Sequence, residues 1–245
     1  MNRWAIFLDV EGVSKIYPND EGRFFNAFDE LLSAVWRIGN LAYPQTPQRL
    51  FAHQVGGDGL IIVSEFAAGI PEVPISIAVV LMQVLLVNGA VAKVGISEGD
   101  FADVRSCFPS MQSYPRSGNG TFRLGDGFLT IFPVMGTALI NAHHFSARPP
   151  RGCRLAVDQV LLNTIPSGVI VTHSEKDFSI VDWVHTRTAV MENIFAKTGL
   201  PLLTAEDIER KLISYVQGTG DLGKTDWGSN SLSMNGCHCA GEPMC

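Results

Sequence analysis

An α+β fold, one sheet with helices packed on it, is what these 245 residues predict. Three observations lead there. Short apolar runs such as Trp4-Ala-Ile-Phe-Leu8 and Leu60-Ile-Ile-Val-Ser64 have strand length and β-branched content. Two of the strand-like runs flank a Gly56-Gly-Asp-Gly59 turn, the signature of a hairpin and hence of antiparallel pairing. Between the strands, apolar residues recur at helical spacing.

In chain order, a strand is expected over Arg3 to Asp9. Phe24, Phe25, Phe28, Leu31, Leu32, Val35 and Trp36 then mark an amphipathic helix over 20–39, begun after Pro18-Asn-Asp20. Gln48 to Val55 and Leu60 to Phe66 form the hairpin. A helix over 74–88 and a strand over Val91 to Ile96 follow. Residues 98–126, rich in Ser, Gly and Pro, read as irregular, and Phe128 to Val134 as a strand. Gly136 opens a helix that runs to about Ala147 and is stopped by Pro149-Pro150. Strand-like runs recur at 153–157, 167–172 and 178–184, and helices at 186–198 and 204–217. Thr204-Ala-Glu-Asp207 is a capping-box variant with Thr204 as N-cap. Beyond Gly218 the composition shifts to Gly, Ser, Asn and Cys without periodicity. Residues 1–218 are therefore expected to form one domain, and 219–245 a poorly ordered tail.

Composition narrows the function. The chain is 46% hydrophobic and 17% charged, enough for a sizeable core, and its net charge of −6 offers no general basic field for nucleic acid or acidic membranes. Val73 to Ala92 carries no charge, but Gly89 divides it, and the helical part is shorter than the ~20 residues that span a bilayer. The first residues read directly into a strand with no basic-then-apolar leader, so the expected location is cytoplasmic. The cysteines are Cys107, Cys153, Cys237, Cys239 and Cys245. Cys237-His238-Cys239 is too compressed for ordinary zinc ligation, and reduced, exposed thiols on the tail are expected.

Two aspartates stand out: Asp9 in Phe7-Leu-Asp-Val-Glu-Gly12 and Asp58 in Val55-Gly-Gly-Asp-Gly-Leu60. Each sits at a strand end beside glycines that let a backbone approach closely. Paired carboxylates so placed suit divalent metals that grip a triphosphate.

Four local patterns in order resemble the class III nucleotide cyclases: Phe7-Leu-Asp-Val-Glu-Gly-Val-Ser14, Val55-Gly-Gly-Asp58, Lys93-Val-Gly-Ile-Ser-Glu-Gly99 and Gly136-Thr-Ala-Leu-Ile-Asn-Ala142. They span about residues 1–150, and Phe178-Ser-Ile-Val-Asp-Trp183 extends the match. The resemblance implies a ferredoxin-like palm with a mixed or antiparallel sheet. It also implies cyclisation of a nucleoside triphosphate by two divalent ions, Mn or Mg. Asp9 and Asp58 would be the catalytic carboxylates and, with the Val10 carbonyl, the metal ligands. Amides around Glu11, Gly12, Val13 and Ser14 would cradle the phosphates, and Arg105 is the first candidate for a phosphate-binding cation, ahead of Arg116 and Arg123. Glu11 itself is expected to be exposed rather than a ligand. The family's sites are shared between two domains, so a homodimer is implied.

Departures matter too. Aligned on Gly136 and Ala142, the family's transition-state Asn and Arg fall on Ile140 and His144. Asn141 lies nearly 100° around the helix, and His143 and His144 read as ordinary helix histidines. At the two purine-reading positions stand Gln54 and Pro133. That combination resembles the compact Pycsar pyrimidine cyclases. It implies UTP, or CTP, as substrate, a cyclic mononucleotide as anti-phage second messenger, and a separate effector that binds it. The alternatives are a purine cyclase and a non-catalytic nucleotide-binding module, and two surviving metal carboxylates argue against the latter. The Gly-Gly-Asp turn also resembles the GGDEF diguanylate cyclases, but Gly59 stands where those have an acid.

Overall fold

A computed structural model describes residues 2–13, 20–45, 48–67, 71–103, 116–118, 121–131, 134–148, 150–220 and 222–237. Its main sheet has seven strands: β1 (Arg3–Val10), β2 (Leu50–Val55), β3 (Gly59–Ala67), β4 (Ala92–Gly99), β10 (Leu155–Asp158), β11 (Val171–Ser174) and β12 (Phe178–Val181). Their order is β11-β12-β10-β4-β1-β3-β2, antiparallel except for the β4–β10 pair. This is the expected α+β architecture.

Both faces are covered. On one lie α1 (Glu21–Arg37) and α2 (Glu72–Val87), with α4 (Ala189–Thr198) and α5 (Ala205–Gly218) packed on them. From Val73 through Leu86 every residue of α2 is buried, which is why this helix is apolar on all sides instead of striped. No helix among the described residues is long and apolar enough to cross a membrane. On the other face α3 (Thr137–Ala147) lies across β4 and β1. It comes so close at Gly95 that a Cβ there would stand 2.0 Å from the Ala142 carbonyl oxygen. Asp20 caps α1, and Thr204 caps α5 by accepting from the Asp207 amide, as its motif predicts.

Three expectations need correction. Part of the segment expected to be irregular is strand: β5 (Ala102–Asp103), β6 (Arg116–Gly118) and β7 (Thr121–Leu124). The strand expected over 128–134 is split between β8 (Gly127–Thr130), which closes a hairpin on β7 through the Gly125 turn, and β9 (Val134–Met135), which pairs with β5. The third is the tail. It contains α6 (Asp226–Ser233), N-capped by Thr225 and docked through Trp227, Ser231 and Asn235, all buried. Trp227 and Ser231, spaced four apart, lie on one helical face, and Asn235 follows in the turn after the helix. Cys237, expected to be an exposed thiol, is buried, as is Cys153.

Candidate active site

Strand alternation sends Trp4, Ile6, Leu8 and Val10 into the α1/α2 layer, and Ala5, Phe7 and Asp9 to the α3 side. The register of β1 sets Asp9 opposite Gly59 on β3 and opposite Lys93 on β4. Two of the expected residues are therefore brought together: Asp9 ends its strand where Asp58 closes the β2–β3 turn. The Val10 amide donates to the Asp58 carbonyl at 3.2 Å and the Glu11 amide to Val91 at 2.8 Å, so the turn after Asp9 is pinned on both sides. Gly12 leaves it with φ +78°, and Gly56 and Gly57 make the hairpin turn with φ +64° and +98°.

Electrostatics tie the two carboxylates together. Burial, then the negative charge of Asp9, raise the Asp58 carboxyl above the usual carboxylate range, against a backbone hydrogen bond and Lys93 that pull it down. Lys93 Nζ lies 2.9 Å from Asp9 Oδ2 and 3.1 Å from Glu11 Oε1. Glu11 is not the exposed residue expected. Its other oxygen, Oε2, accepts from the Trp227 indole at 3.1 Å, so the last helix is tied to the turn beside Asp9. Lys93 and Trp227 were missed as site residues. Lys93 shares its strand with one other charge, Glu98, and only the register pairs it with Asp9.

Two hard-oxygen carboxylates that repel one another suit a divalent cation. Among the described residues no three His, Cys, Asp or Glu converge as a metal cage. Asp9, Asp58 and a backbone carbonyl such as that of Val10 could hold an ion only with donors added by substrate and water. That fits a phosphate-binding site better than a structural one.

Gln54, on β2, is exposed, and its amide nitrogen donates to the Gly57 carbonyl at 2.9 Å, leaving the amide oxygen as acceptor. His143 sets its ring edge-on to Phe7 at 4.8 Å. Arg123 closes its own turn, Nε to the Gly125 carbonyl at 2.9 Å. Arg116 begins β6. Ser14, Arg105 and Pro133 lie outside the described residues.

No protein-family model and no curated protein sequence matches the chain. Solved structures resemble its backbone. A bacterial light-regulated adenylyl cyclase is 11% identical at a TM-score of 0.49 over 86% of this chain, which spans 57% of the length of that one. The dimeric guanylyl cyclase domain of the RhoGC fusion protein from the aquatic fungus Blastocladiella emersonii is 9% identical at 0.48, over 74% of this chain and 93% of that one. An adenylate cyclase of Trypanosoma brucei is 10% identical at 0.45, over 76% and 92%.

Proposed function

We propose that this protein is a nucleotide cyclase that converts UTP, or CTP, to the 3′,5′-cyclic monophosphate and pyrophosphate. The observation that carries the reading is the meeting of Asp9 and Asp58 at adjoining strand ends, with the Lys93 ammonium 2.9 Å from Asp9. In the reaction the ribose 3′-oxygen forms a bond to the α-phosphorus and loses its proton. The bond from that phosphorus to the β-phosphate bridge breaks, and pyrophosphate leaves with the electron pair. Nucleophile and electrophile belong to one molecule, so positioning and charge neutralisation carry the catalysis.

Divalent ions held by Asp9 and Asp58 would lower the pKa of the 3′-hydroxyl and neutralise phosphate oxygens. The chain's own groups do the rest. The Val10 and Glu11 amides are taken by the Asp58 and Val91 carbonyls, so the Gly12 and Val13 amides of the turn would be the ones to face a phosphate, and Lys93 brings a positive charge to the same strand end. Gln54, with its nitrogen held by Gly57, offers an oxygen that accepts from uracil N3–H or the cytosine amino group.

The family's half-sites come from two chains, and a homodimer follows. Its support is the exposed apolar surface of the β7–β8 hairpin and α3, where Leu124, Phe128 and Ile140 are 57%, 73% and 53% exposed. By the Pycsar resemblance the product is a messenger read by a separate effector in anti-phage defence. Incubation with each of the four nucleoside triphosphates and manganese, with products identified by mass spectrometry, tests the reading. Cyclic UMP or cyclic CMP is expected. Cyclic AMP or cyclic GMP with both pyrimidine substrates inert would move the assignment to a purine cyclase, and no cyclic product would leave a nucleotide-binding module.

A further inference from the structure

Beside the carboxylate pair a cavity of about 780 Å³ opens between the end of α3, the segment leading into β10, and α6. Its size is that of a small-ligand site. Among the described residues its charged lining is four cations, Lys93, Arg148, Arg151 and Arg154, against two acids, Glu11 and Asp226. On a chain of net charge −6 this is a local excess of positive charge. Three of the four cations come from residues 148–154, which belong to none of the motif segments around Asp9, Asp58, Gly95 or Gly136.

The three arginines differ in what already occupies them. Arg154 is 1% exposed and built into the wall, its Nη2 donating to the carbonyls of Phe145, Ser146 and Arg148. Among the described residues no carboxylate lies within ion-pair distance of it, and its Nη1 has no hydrogen-bond partner. Burial, opposed by the nearby charge of Glu11, lowers its pKa to about 10, so it remains charged at neutral pH and acts as a fixed positive charge behind the cavity. Arg151 is exposed and its guanidinium has no partner among the described residues. Arg148 makes one ion pair, 2.9 Å to Asp177 with both side chains about half exposed, an interaction that exchanges readily for a stronger anion.

We propose that this cavity binds an inorganic pyrophosphate anion, gripped by Arg148 and Arg151 over the fixed charge of Arg154, as a holding site adjoining the Asp9–Asp58 pair. The anion is either the leaving group of the reaction or pyrophosphate taken from solution, and the proposal rests on reading the site as one that handles nucleoside triphosphates. A diphosphate suits the cavity better than a monophosphate because its higher charge matches several cations at once: Arg148 and Arg151, with Arg151 held at the α6 side through Asn230, and the buried Arg154 behind them. Guanidinium groups add forked hydrogen bonds to phosphate oxygens.

Titration calorimetry of the full chain with sodium pyrophosphate, in EDTA so that no metal bridges the anion to Asp9 and Asp58, tests it. Wild-type protein should bind one pyrophosphate per chain, more tightly than orthophosphate. Arg151→Gln, and more so Arg148→Gln with Arg151→Gln, should weaken binding at least tenfold. Arg210→Gln, a cation outside the cavity, should leave it unchanged. Arg154→Gln removes the support of two α3 carbonyls and that of Arg148 just after them, and is scored only if its thermal unfolding matches wild type; the Arg151 variants decide without it. Absence of saturable binding, insensitivity to Arg151→Gln, or equal loss in Arg210→Gln would overturn the proposal. Binding that depends on Arg151 in a protein that cyclises no nucleotide would sink the cyclase reading and leave this site standing. Cyclisation with no such binding would do the reverse. In an active enzyme, pyrophosphate release slowed by wild type relative to Arg151→Gln identifies the leaving group as the ligand, and unchanged release identifies solution pyrophosphate.

Discussion

Replacing Lys93 by Met removes one charge, keeps most of the apolar stem, and strikes the centre of the candidate site. The ammonium makes two ion pairs, 2.9 Å to Asp9 and 3.1 Å to Glu11, with the three side chains 30%, 26% and 19% exposed. Fully exposed pairs contribute about 0.2–1 kcal/mol each, and a buried pair that loses one partner costs about 3–5 kcal/mol. This site lies between those limits, so a loss of about 2 kcal/mol is expected, or about 4–8 °C in Tm for a chain of this size. Burial acts to lower the Lys93 pKa, but Asp9 and Glu11 outweigh it and the net shift is upward. A raised lysine pKa means that its contribution is complete below the ordinary lysine range and is lost only as pH rises through the raised value. The full effect is therefore present at pH 7. Thermal unfolding in EDTA and in saturating manganese is the assay. With Lys93 gone the carboxylates lack their internal counter-ion, so manganese should raise the Tm of Lys93→Met more than that of wild type. An unchanged Tm in EDTA at pH 7, or equal manganese shifts, would refute this account of Lys93.

Asp58→Asn should raise the Tm of the metal-free protein at neutral pH. The folded-state carboxyl pKa is raised by burial and by Asp9, so the native state loses stability as pH rises and Asp58 ionises. The gain should vanish as pH falls through the carboxylate range; a gain that grows on acidification would reverse the sign of the argument. Gly95→Ala places a Cβ 2.0 Å from the Ala142 oxygen and 2.7 Å from the Ser146 nitrogen, both backbone atoms of α3. A cost at the upper end of overpacking, about 3 kcal/mol, is expected in urea unfolding, and a change within about 0.5 kcal/mol would show that α3 shifts freely. Trp227→Phe keeps the ring packing of α6 but removes the donor to Glu11 at 3.1 Å. A loss of about 1–2 kcal/mol is expected, with none if Glu11 does not anchor the helix.

The parts of this structure that could be read from sequence are those written in local chemistry. The continuous apolar run before Asp9, the glycines at 56 and 57, the apolar block of α2 and the Thr204 cap each specify their element without outside help. Asp9 and Asp58 were legible for the same reason: glycines at the strand ends expose them. Lys93 was not, because its partner is set by the register of β4 against β1, a long-range fact. Helix α6 was hidden by Gly, Ser and Asn of low helix propensity, and its stability comes from burying Trp227, Ser231 and Asn235 against the body. Its trace in the sequence is Thr225-Asp226 followed by those three residues at spacing four. The β7–β8 hairpin left a similar trace in Gly125-Asp-Gly127, overlooked within a Ser- and Gly-rich stretch.

The central claim is that Asp9 and Asp58 form one site that closes a ribose–phosphate ring. Simultaneous measurement of cyclic nucleotide and pyrophosphate, with UTP and CTP as substrates and manganese saturating, tests it in wild type, Asp9→Ala and Asp58→Ala. Wild type should release one pyrophosphate for each cyclic nucleotide formed. Each variant should form neither product while still unfolding in one cooperative thermal transition in EDTA. Turnover near the wild-type rate in either variant would contradict the account.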